Sequence, residues 1–570
     1  MQYKKLLASS LILVSLSAYA VDNNYDLVES ALNNNLTKAK NSSQLSTQLE
    51  SITCYHGQKC NNKYTQIFYQ QNPDKHLWLN MNGVNPDGLI LLQMLRNSYF
   101  NGIDPQRFKI NVLELMLSEV QNYQKNNIAI PMNVASAYEV SMTDAYLSYL
   151  DALENGVVNP NKIYSYWHVE KNPINYYSQF ISAVNANRLV QNLQNIETNN
   201  HSEEYRQLKN QLAIYINAYQ SGAWSLISFT KPLKLGMSSE NIKLIKQRLS
   251  KTKQYNLDND NNLIYFNHDL QNSIKLVQKD NNLEVTGIID KKTLELLNQS
   301  PLTIIKKIAI NMDRMRWLPE QVSSRRLWIN IPSYELLIYE NNKIVYQMPV
   351  IVGGGKENKT CSTMSKVTNI ELNPYWGVPN RIATKEYLKK IQESSGYLAR
   401  HDMKIYKNGS NSEVDPSSVD WSNVNEKNFN YNIRQQPGNK NALGQYKFRF
   451  DNGCGIYLHD TSNKNLFARD NRSMSHGCIR VAQPKYLAEY LTNTNTNGYT
   501  FNKVSQLVND KTHKFVSLSS PIAVYIVYYT AYVDASGELK FQKDIYDLDS
   551  VNFPLNIPHE KDTVESANDE

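Results

Sequence analysis

Two short segments decide how the C-terminal half folds: Ile456-Tyr457-Leu458-His459-Asp460 and, after a gap, Met474-Ser475-His476-Gly477-Cys478-Ile479-Arg480-Val481. Ile456-Tyr457-Leu458 is strand-like and delivers His459 to a strand end. Ser475-His476-Gly477 is a polar turn whose glycine permits close backbone approach or positive φ. Cys478 follows at once, before Ile479, Arg480 and Val481. A thiol on such a turn, with two histidines and an arginine nearby, predicts an electropositive setting. That setting lowers a thiol from its free value of about 8.5 and supplies thiolate at neutral pH.

Two histidines compete for the role of base. His476 is two residues from the thiol, but on a turn its ring can point away. His459 is distant in sequence, yet a neighbouring strand brings such a residue within hydrogen-bond range of a nucleophile. Either a carbonyl beside His459 or the Asp460 side chain would hold the ring in the needed tautomer. The backbone amides of Gly477 and Cys478 are candidates for an oxyanion hole. Against this Cys/His acyl-transfer reading stands a plainer one, a buried cysteine in a β core.

Outward from this stretch the chain keeps a β character. Leu327 to Ile331, Glu335 to Tyr339, Lys343 to Val352 and Val367 to Leu372 are short and β-branched, interrupted by Pro332, Asn341-Asn342 and Gly353-Gly354-Gly355. Pro521 to Val533 reads as a further strand. Between 380 and 445 the pattern loosens around Tyr387, Tyr397, Tyr406, Trp421, Phe429 and Tyr431, which predicts an ordered flap rather than a structureless loop. The β-rich unit is expected over 301–545, with 546–570 as a C-terminal tail ending in a solvated acidic run.

Upstream, 231–300 predicts a bundle of three short helices. A serine in Ser238-Ser239 caps a helix bearing Ile242, Ile245 and Leu249; a second presents Leu270, Ile274 and Val277; Asp290 leads into the third. Before it, 21–230 reads as a helical scaffold. Met142, Ala145, Tyr146, Tyr149, Leu150 and Leu153 fall on one face of a helix that Gly156 terminates, and another helix is expected over about Asp87 to Ser98, stopping before Asn101-Gly102.

Lys4 and Lys5, an apolar stretch from Leu6 to Leu16 and Ala18-Tyr19-Ala20 have the layout of a secretory signal peptide over 1–20. The apolar run falls short of the roughly 20 residues that span a bilayer. No later segment reaches that length, so an exported protein in a bacterial periplasm is expected, with no integral membrane segment once the leader is removed. Cys54 and Cys60 enclose a short loop that an oxidising compartment closes as a disulfide; one histidine, His56, beside them makes a poor zinc set. Five cysteines leave at least one free thiol. With 41% hydrophobic and 20% charged residues the chain has enough apolar material for real cores, and a net charge of +7 over 65.6 kDa does not indicate a nucleic-acid binder.

Ser475-His476-Gly477-Cys478-Ile479-Arg480, with His459 nineteen residues before the cysteine, resembles the signature of the L,D-transpeptidase (YkuD-like) catalytic domain. Asn311-x-x-Arg314-x-Arg316-Trp317-Leu318-Pro319, Leu372-Asn373-Pro374-Tyr375-Trp376-Gly377-Val378-Pro379, Gln436-Pro437-Gly438-x-x-Asn441-Ala442-Leu443-Gly444 and Leu458-His459-Asp460-Thr461 resemble its large periplasmic branch. So do Thr143-Asp144-Ala145-Tyr146-Leu147 and Gly156-Val157-Val158-Asn159-Pro160 in the scaffold, and the Gly236 to Asn298 unit resembles a peptidoglycan-binding module. The resemblance implies a multidomain α+β protein: a helical scaffold, a three-helix peptidoglycan-binding bundle and a β-rich catalytic domain with an inserted capping lid.

It further implies that Cys478 is the nucleophile, His459 its base, and the backbone of Asp460 the group that orients the imidazole. Ser475, His476, Gly477 and Cys478 would shape the oxyanion region, while Tyr457 and Trp376 line the substrate cleft. Arg480 would anchor the loop or a substrate carboxylate. Cys361 and Cys454 lie outside the signature and are candidates to pair across adjacent strands. No metal or organic cofactor is implied. The implied partner is peptidoglycan, its tetrapeptide stems serving as donor and acceptor in 3→3 cross-linking through a thioester, with carbapenems as acylating inhibitors. The same site using water would be an L,D-carboxypeptidase, and using a protein lysine an anchoring enzyme. A non-catalytic wall-binding protein and a general cysteine protease are the rivals.

Overall fold

The computed structural model describes residues 53–558, apart from 56, 81–82, 164–166, 169–175, 200–201, 223, 259, 320, 356, 494–497 and 551–552. The signal-peptide reading, His56 and the acidic run at 559–570 lie outside the described residues.

The C-terminal unit is built on nine strands: β1 (Arg326–Asn330), β2 (Glu335–Glu340), β3 (Lys343–Gly353), β4 (Ser362–Leu372), β5 (Tyr446–Phe450), β6 (Leu458–His459), β7 (Ser473–Ser475), β8 (Ile479–Val481) and β9 (Lys514–Val527). The order β5-β6-β8-β3-β2-β1-β9-β4 returns to β5, because β4 pairs with both β9 and β5. The sheet therefore closes into a barrel, which removes its open edges. Alternation sets which side faces in. In β5, Tyr446, Phe448 and Phe450 are buried, whereas Lys447 and Arg449 face the other way. Leu327, Ile329, Leu336, Ile338, Val350, Ile370, Leu458 and Ile479 share the barrel core with helices Pro484–Asn493 and Phe501–Asn509. Asn341 and Asn342, at φ 49° and 61°, make the tight β2–β3 turn that asparagine tolerates.

The expected flap is ordered. Helices between Asn380 and Arg400 pack on a separate sheet of Trp376–Gly377, Met403–Lys407, Glu413–Val414 and Tyr431–Gln435. Its own apolar core includes Ile382, Leu388, Ile391, Ile405 and Ile433.

The three helices of the small bundle are Glu240–Lys251, His268–Asp280 and Lys291–Leu297. The Ser239 hydroxyl accepts the Asn241 N–H at 3.2 Å, and Asp290 Oδ1 accepts that of Thr293 at 2.8 Å. The scaffold winds around the helix Met132–Asn155, whose Met142, Ala145, Tyr146, Tyr149, Leu150 and Leu153 are all fully buried. Gly156 ends it at φ +86°. Asp313, from the helix Pro301–Arg316, accepts the next two amides, Val157 at 2.6 Å and Val158 at 3.1 Å.

Two boundaries differ from expectation. The helix expected over Asp87 to Ser98 ends at Arg96 and gives way to a 3₁₀ turn, Ser98–Asn101, which Gly102 closes in the left-handed conformation. The segment from 546, expected as a tail, is anchored to the fold by part of its described residues. Tyr546 is buried in the barrel cluster, Asp549 Oδ1 accepts a 2.8 Å bond from Arg314, and Phe553 and Leu555 are buried with the helices Glu203–Gln220 and Pro301–Arg316. Alternating apolar residues inside an acidic stretch carry little signal on their own, which is why this docking escapes the sequence.

Candidate functional site

β6 runs parallel to β8, with Leu458 opposite Ile479 and His459 opposite Arg480. Leu458 and Ile479 point into the barrel, so the intervening residues face out. Tyr457, His459, Cys478 and Arg480 thus share the outer face. The Ile479 N–H donates to the Tyr457 carbonyl at 3.1 Å, which carries the register one step further and sets Cys478 beside Tyr457, diagonal to His459. On the other side of His459, β5 presents Lys447. Lys447 Nζ lies 4.3 Å over the Tyr457 ring, and that ring meets the His459 imidazole edge to face at 5.6 Å.

The loop before the cysteine is pinned from both sides. Ser475 Oγ donates to the Cys478 carbonyl at 2.6 Å and accepts the Gly477 N–H at 3.1 Å. Thr360 Oγ1 donates to the Gly477 carbonyl and accepts the Gly353 N–H, both at 2.8 Å. The Tyr546 hydroxyl donates to the Gly353 carbonyl at 2.8 Å and accepts the Thr360 N–H at 3.0 Å. Gly477 sits at φ +116°, where an L side chain is strained. The expected pair of oxyanion amides is therefore corrected. Gly477's N–H is already taken by Ser475, and that of Cys478 is left without an acceptor among the described residues.

His459 Nδ1 lies 2.5 Å from the Asp460 carbonyl, so Nδ1 carries the proton and Nε2 is left as the acceptor. The Asp460 carboxylate is engaged elsewhere, by the N–H groups of Thr461 at 2.6 Å and Gln445 at 2.9 Å and by the Lys464 ammonium. Burial, aided by the Arg480 charge, pushes His459 down to about 3. Burial also pushes the Cys478 thiol up, against the opposing pull of the Tyr457 backbone N–H and phenol, Lys447 and Arg480. The expectation of a depressed thiol is corrected: the cations are present, but desolvation outweighs them. Both shifts favour the uncharged forms of the thiol and the imidazole, and His459 Nε2 carries no hydrogen bond among the described residues.

The remaining residues separate. His476 turns away from the thiol and meets the lid, its Nε2 2.5 Å from Glu386 Oε1. Trp376 belongs to the lid's base and meets Tyr387 edge to face at 6.1 Å. Arg480 is not a loop anchor, since its guanidinium has no hydrogen-bond partner among the described residues. It interacts electrostatically with Cys478 and with Tyr387 of the lid. Cys54 is joined to Cys60 and Cys361 to Cys454, leaving Cys478 free. Among the described residues, the group of possible metal ligands is Cys54, Cys60 and Asp144, whose two sulfurs are already bonded to each other.

Sequence reasoning missed Thr360, Tyr546, Lys447 and Glu386. The signal for Lys447 was present, one of two cations, with Arg449, that alternate with Tyr446, Phe448 and Phe450. The other three act through tertiary contacts that no local pattern announces.

A free thiol diagonal to a histidine, on the outer face of a closed β-barrel with a separately folded lid attached, makes this the candidate cysteine-based site. Family models agree with the architecture: an "L,D-transpeptidase catalytic domain" of the YkuD type matches 324–509, a "Scaffold domain" 63–212 and a "Putative peptidoglycan binding domain" 238–297. The three matches fall on successive stretches of the chain and correspond to the helical scaffold, the small bundle and the barrel. It is 35% identical over 246 residues to a Haemophilus influenzae protein named "Putative L,D-transpeptidase", a match covering 43% of this chain and 48% of that one. The match thus spans about half the length of that relative. Among solved structures, an L,D-transpeptidase from Xylanimonas cellulosilytica is 13% identical over 52% of this chain and 98% of its own, at a TM-score of 0.15. One from Stackebrandtia nassauensis is 14% identical over 52% and 97%, at 0.19. Likenesses of that degree say nothing about how this chain works. Among the described residues no helix is long and apolar enough to cross a membrane.

Proposed function

We propose that the chain is a periplasmic L,D-transpeptidase that joins peptidoglycan stems by 3→3 cross-links through a thioester on Cys478. The observation that carries this reading is the β6–β8 register, which makes Cys478 and His459 diagonal neighbours on the outer face of the barrel. His459 Nε2 takes the thiol proton as the sulfur attacks the carbonyl of the third stem residue. The imidazolium then protonates the departing D-alanine, leaving a thioester. The side-chain amine of a second stem attacks that thioester, loses its proton to His459 and releases the thiolate, which is reprotonated. A pair that is neutral at rest acquires charge only as substrate arrives, which suits a base whose job is a transient transfer.

The Cys478 N–H is the group available to the developing oxyanion, and the unpartnered Arg480 guanidinium suits a substrate carboxylate. Tyr387 and Trp376 place aromatic surface on the lid side, and a closed lid favours aminolysis over hydrolysis by excluding water.

Incubation with disaccharide-tetrapeptide, followed by mass spectrometry of the products, tests the reading. Dimers joined between third residues are expected. Trimmed tripeptide alone would make the chain an L,D-carboxypeptidase, and transfer to a protein lysine an anchoring enzyme. A wall-binding protein without catalysis would leave the substrate intact.

A further inference from the structure

The outer face that carries the thiol continues past β6. β5 sets Lys447 opposite His459, and β4 sets Glu371 opposite Lys447, so a lysine and then a carboxylate stand one and two strands beyond the imidazole. Neither lies at the surface: the Lys447 side chain is 16% exposed and that of Glu371 7%. Lys447 Nζ lies 3.3 Å from Glu371 Oε2, and the other carboxylate oxygen faces His513 Nε2 at 3.3 Å. His513 is itself held edge to face between Tyr375 at 5.1 Å and Phe515 at 5.2 Å. The carboxylate is therefore fixed from both sides, and it holds the ammonium 4.3 Å over the Tyr457 ring.

A buried ion pair of this kind adds little stability over apolar side chains that fill the same space, so its placement is the informative feature. The pair is a dipole. Its positive end lies on β5, next to β6, and its negative end on β4, one strand spacing of about 4.8 Å farther out. Tyr457 is the link to the sulfur, since its phenol and its backbone N–H both donate toward Cys478. A cation against the ring face draws electron density from the phenol, and a polarised O–H is the stronger donor to a charged acceptor. The sulfur needs such a donor twice: when His459 takes its proton, and when the amine expels it from the thioester. Burial disfavours its charge on both occasions. Arg480, the other cation that acts on this sulfur, is offset once it holds a substrate carboxylate.

We propose that Lys447 is a positioning residue for acyl transfer: clamped by Glu371 against the Tyr457 ring, it sets the phenol as the donor that stabilises negative charge on the Cys478 sulfur. The assignment rests on the reading of the chain as a thioester-forming enzyme and adds the group that lets a buried sulfur become a thiolate during the reaction.

The pH profile of iodoacetamide alkylation, measured on the full chain, tests the assignment without any peptidoglycan substrate. Lys447→Met alone strands Glu371, so the decisive variant combines it with Glu371→Gln, which leaves no unpaired buried charge to disturb the fold. This double variant should be alkylated about fivefold more slowly than the wild type at each pH below the plateau, its profile displaced toward higher pH. Its acylation by saturating disaccharide-tetrapeptide should fall by about tenfold or more, while the half-saturating concentration stays within about twofold. In a Tyr457→Phe background the same two changes should alter alkylation by less than about twofold, because the phenol through which Lys447 acts is gone. A profile superimposed on that of the wild type, or an undiminished effect in the Tyr457→Phe background, would overturn the assignment. A wild type that forms no acyl adduct, with the alkylation profile still displaced in the double variant, would instead remove the transpeptidase reading and leave the role of Lys447 at the sulfur standing.

Discussion

Thr360 Oγ1 donates to the carbonyl of Gly477 at 2.8 Å. The same oxygen accepts from Gly353 at the end of β3, so one hydroxyl ties the turn that presents the nucleophile to the barrel wall. Thr360→Val keeps the shape and removes both bonds. It should cost about 1–3 kcal/mol in urea unfolding, the sum expected of two buried hydrogen bonds. It should also slow acylation by tetrapeptide, because the turn would no longer hold the sulfur in one place. Loss of stability with an unaltered acylation rate would confine Thr360 to a structural role.

Iodoacetamide reads the thiol directly. Since burial pushes Cys478 up rather than down, alkylation at pH 7 should be at least about tenfold slower than that of a free cysteine and should keep rising with pH past the ordinary thiol range. Rapid alkylation with a plateau below neutrality would mean a preformed thiolate–imidazolium pair.

The imidazole makes an opposite and separable prediction. His459 is pushed from 6.5 down to about 3 in the fold, so between those values the unfolded chain binds a proton that the folded chain does not. Stability from this source is complete above pH 6.5 and falls by about 1.4 kcal/mol per pH unit on acidification toward 3. Urea midpoints at pH 7, 6 and 5 should therefore decline more steeply for the wild type than for His459→Gln, which has nothing to titrate there. Parallel declines would contradict the burial of this ring.

How much of this was legible depends on the kind of signal. The scaffold helix was written in its spacing, with every residue of the face from Met142 to Leu153 fully buried. The bundle was legible because caps and apolar steps agreed. In the site, Tyr457, His459, Cys478 and Arg480 could be gathered from two strand ends, because period two fixes which residues share a face. The protonation state could not be gathered so. Net burial of a thiol is a property of everything packed around it, and nearby cations, the one part a sequence displays, point the wrong way here. Likewise nothing around His476 foretells that its partner is Glu386, ninety residues away in the lid.

Gly156 tests how the scaffold is locked to the barrel unit. A Cβ there would come within 2.8 Å of Trp317 Nε1 and 2.9 Å of Asp313 Oδ1, at a φ of +86° that disfavours any side chain. Gly156→Ala should lower stability by roughly 1–3 kcal/mol. It should leave the iodoacetamide rate of Cys478 unchanged, since the strain falls at the scaffold junction. A shift in thiol reactivity would show the two units coupled.

The most direct test of the central claim is the intact mass of the protein after exposure to a tetrapeptide donor or a carbapenem. The wild type should gain a single acyl group, lost D-alanine accounting for the tetrapeptide difference, and Cys478→Ala should gain nothing. His459→Ala should form the tetrapeptide adduct more slowly by about 10²–10⁴-fold. An adduct that persists without Cys478, or a His459→Ala protein that acylates at the wild-type rate, would contradict the account.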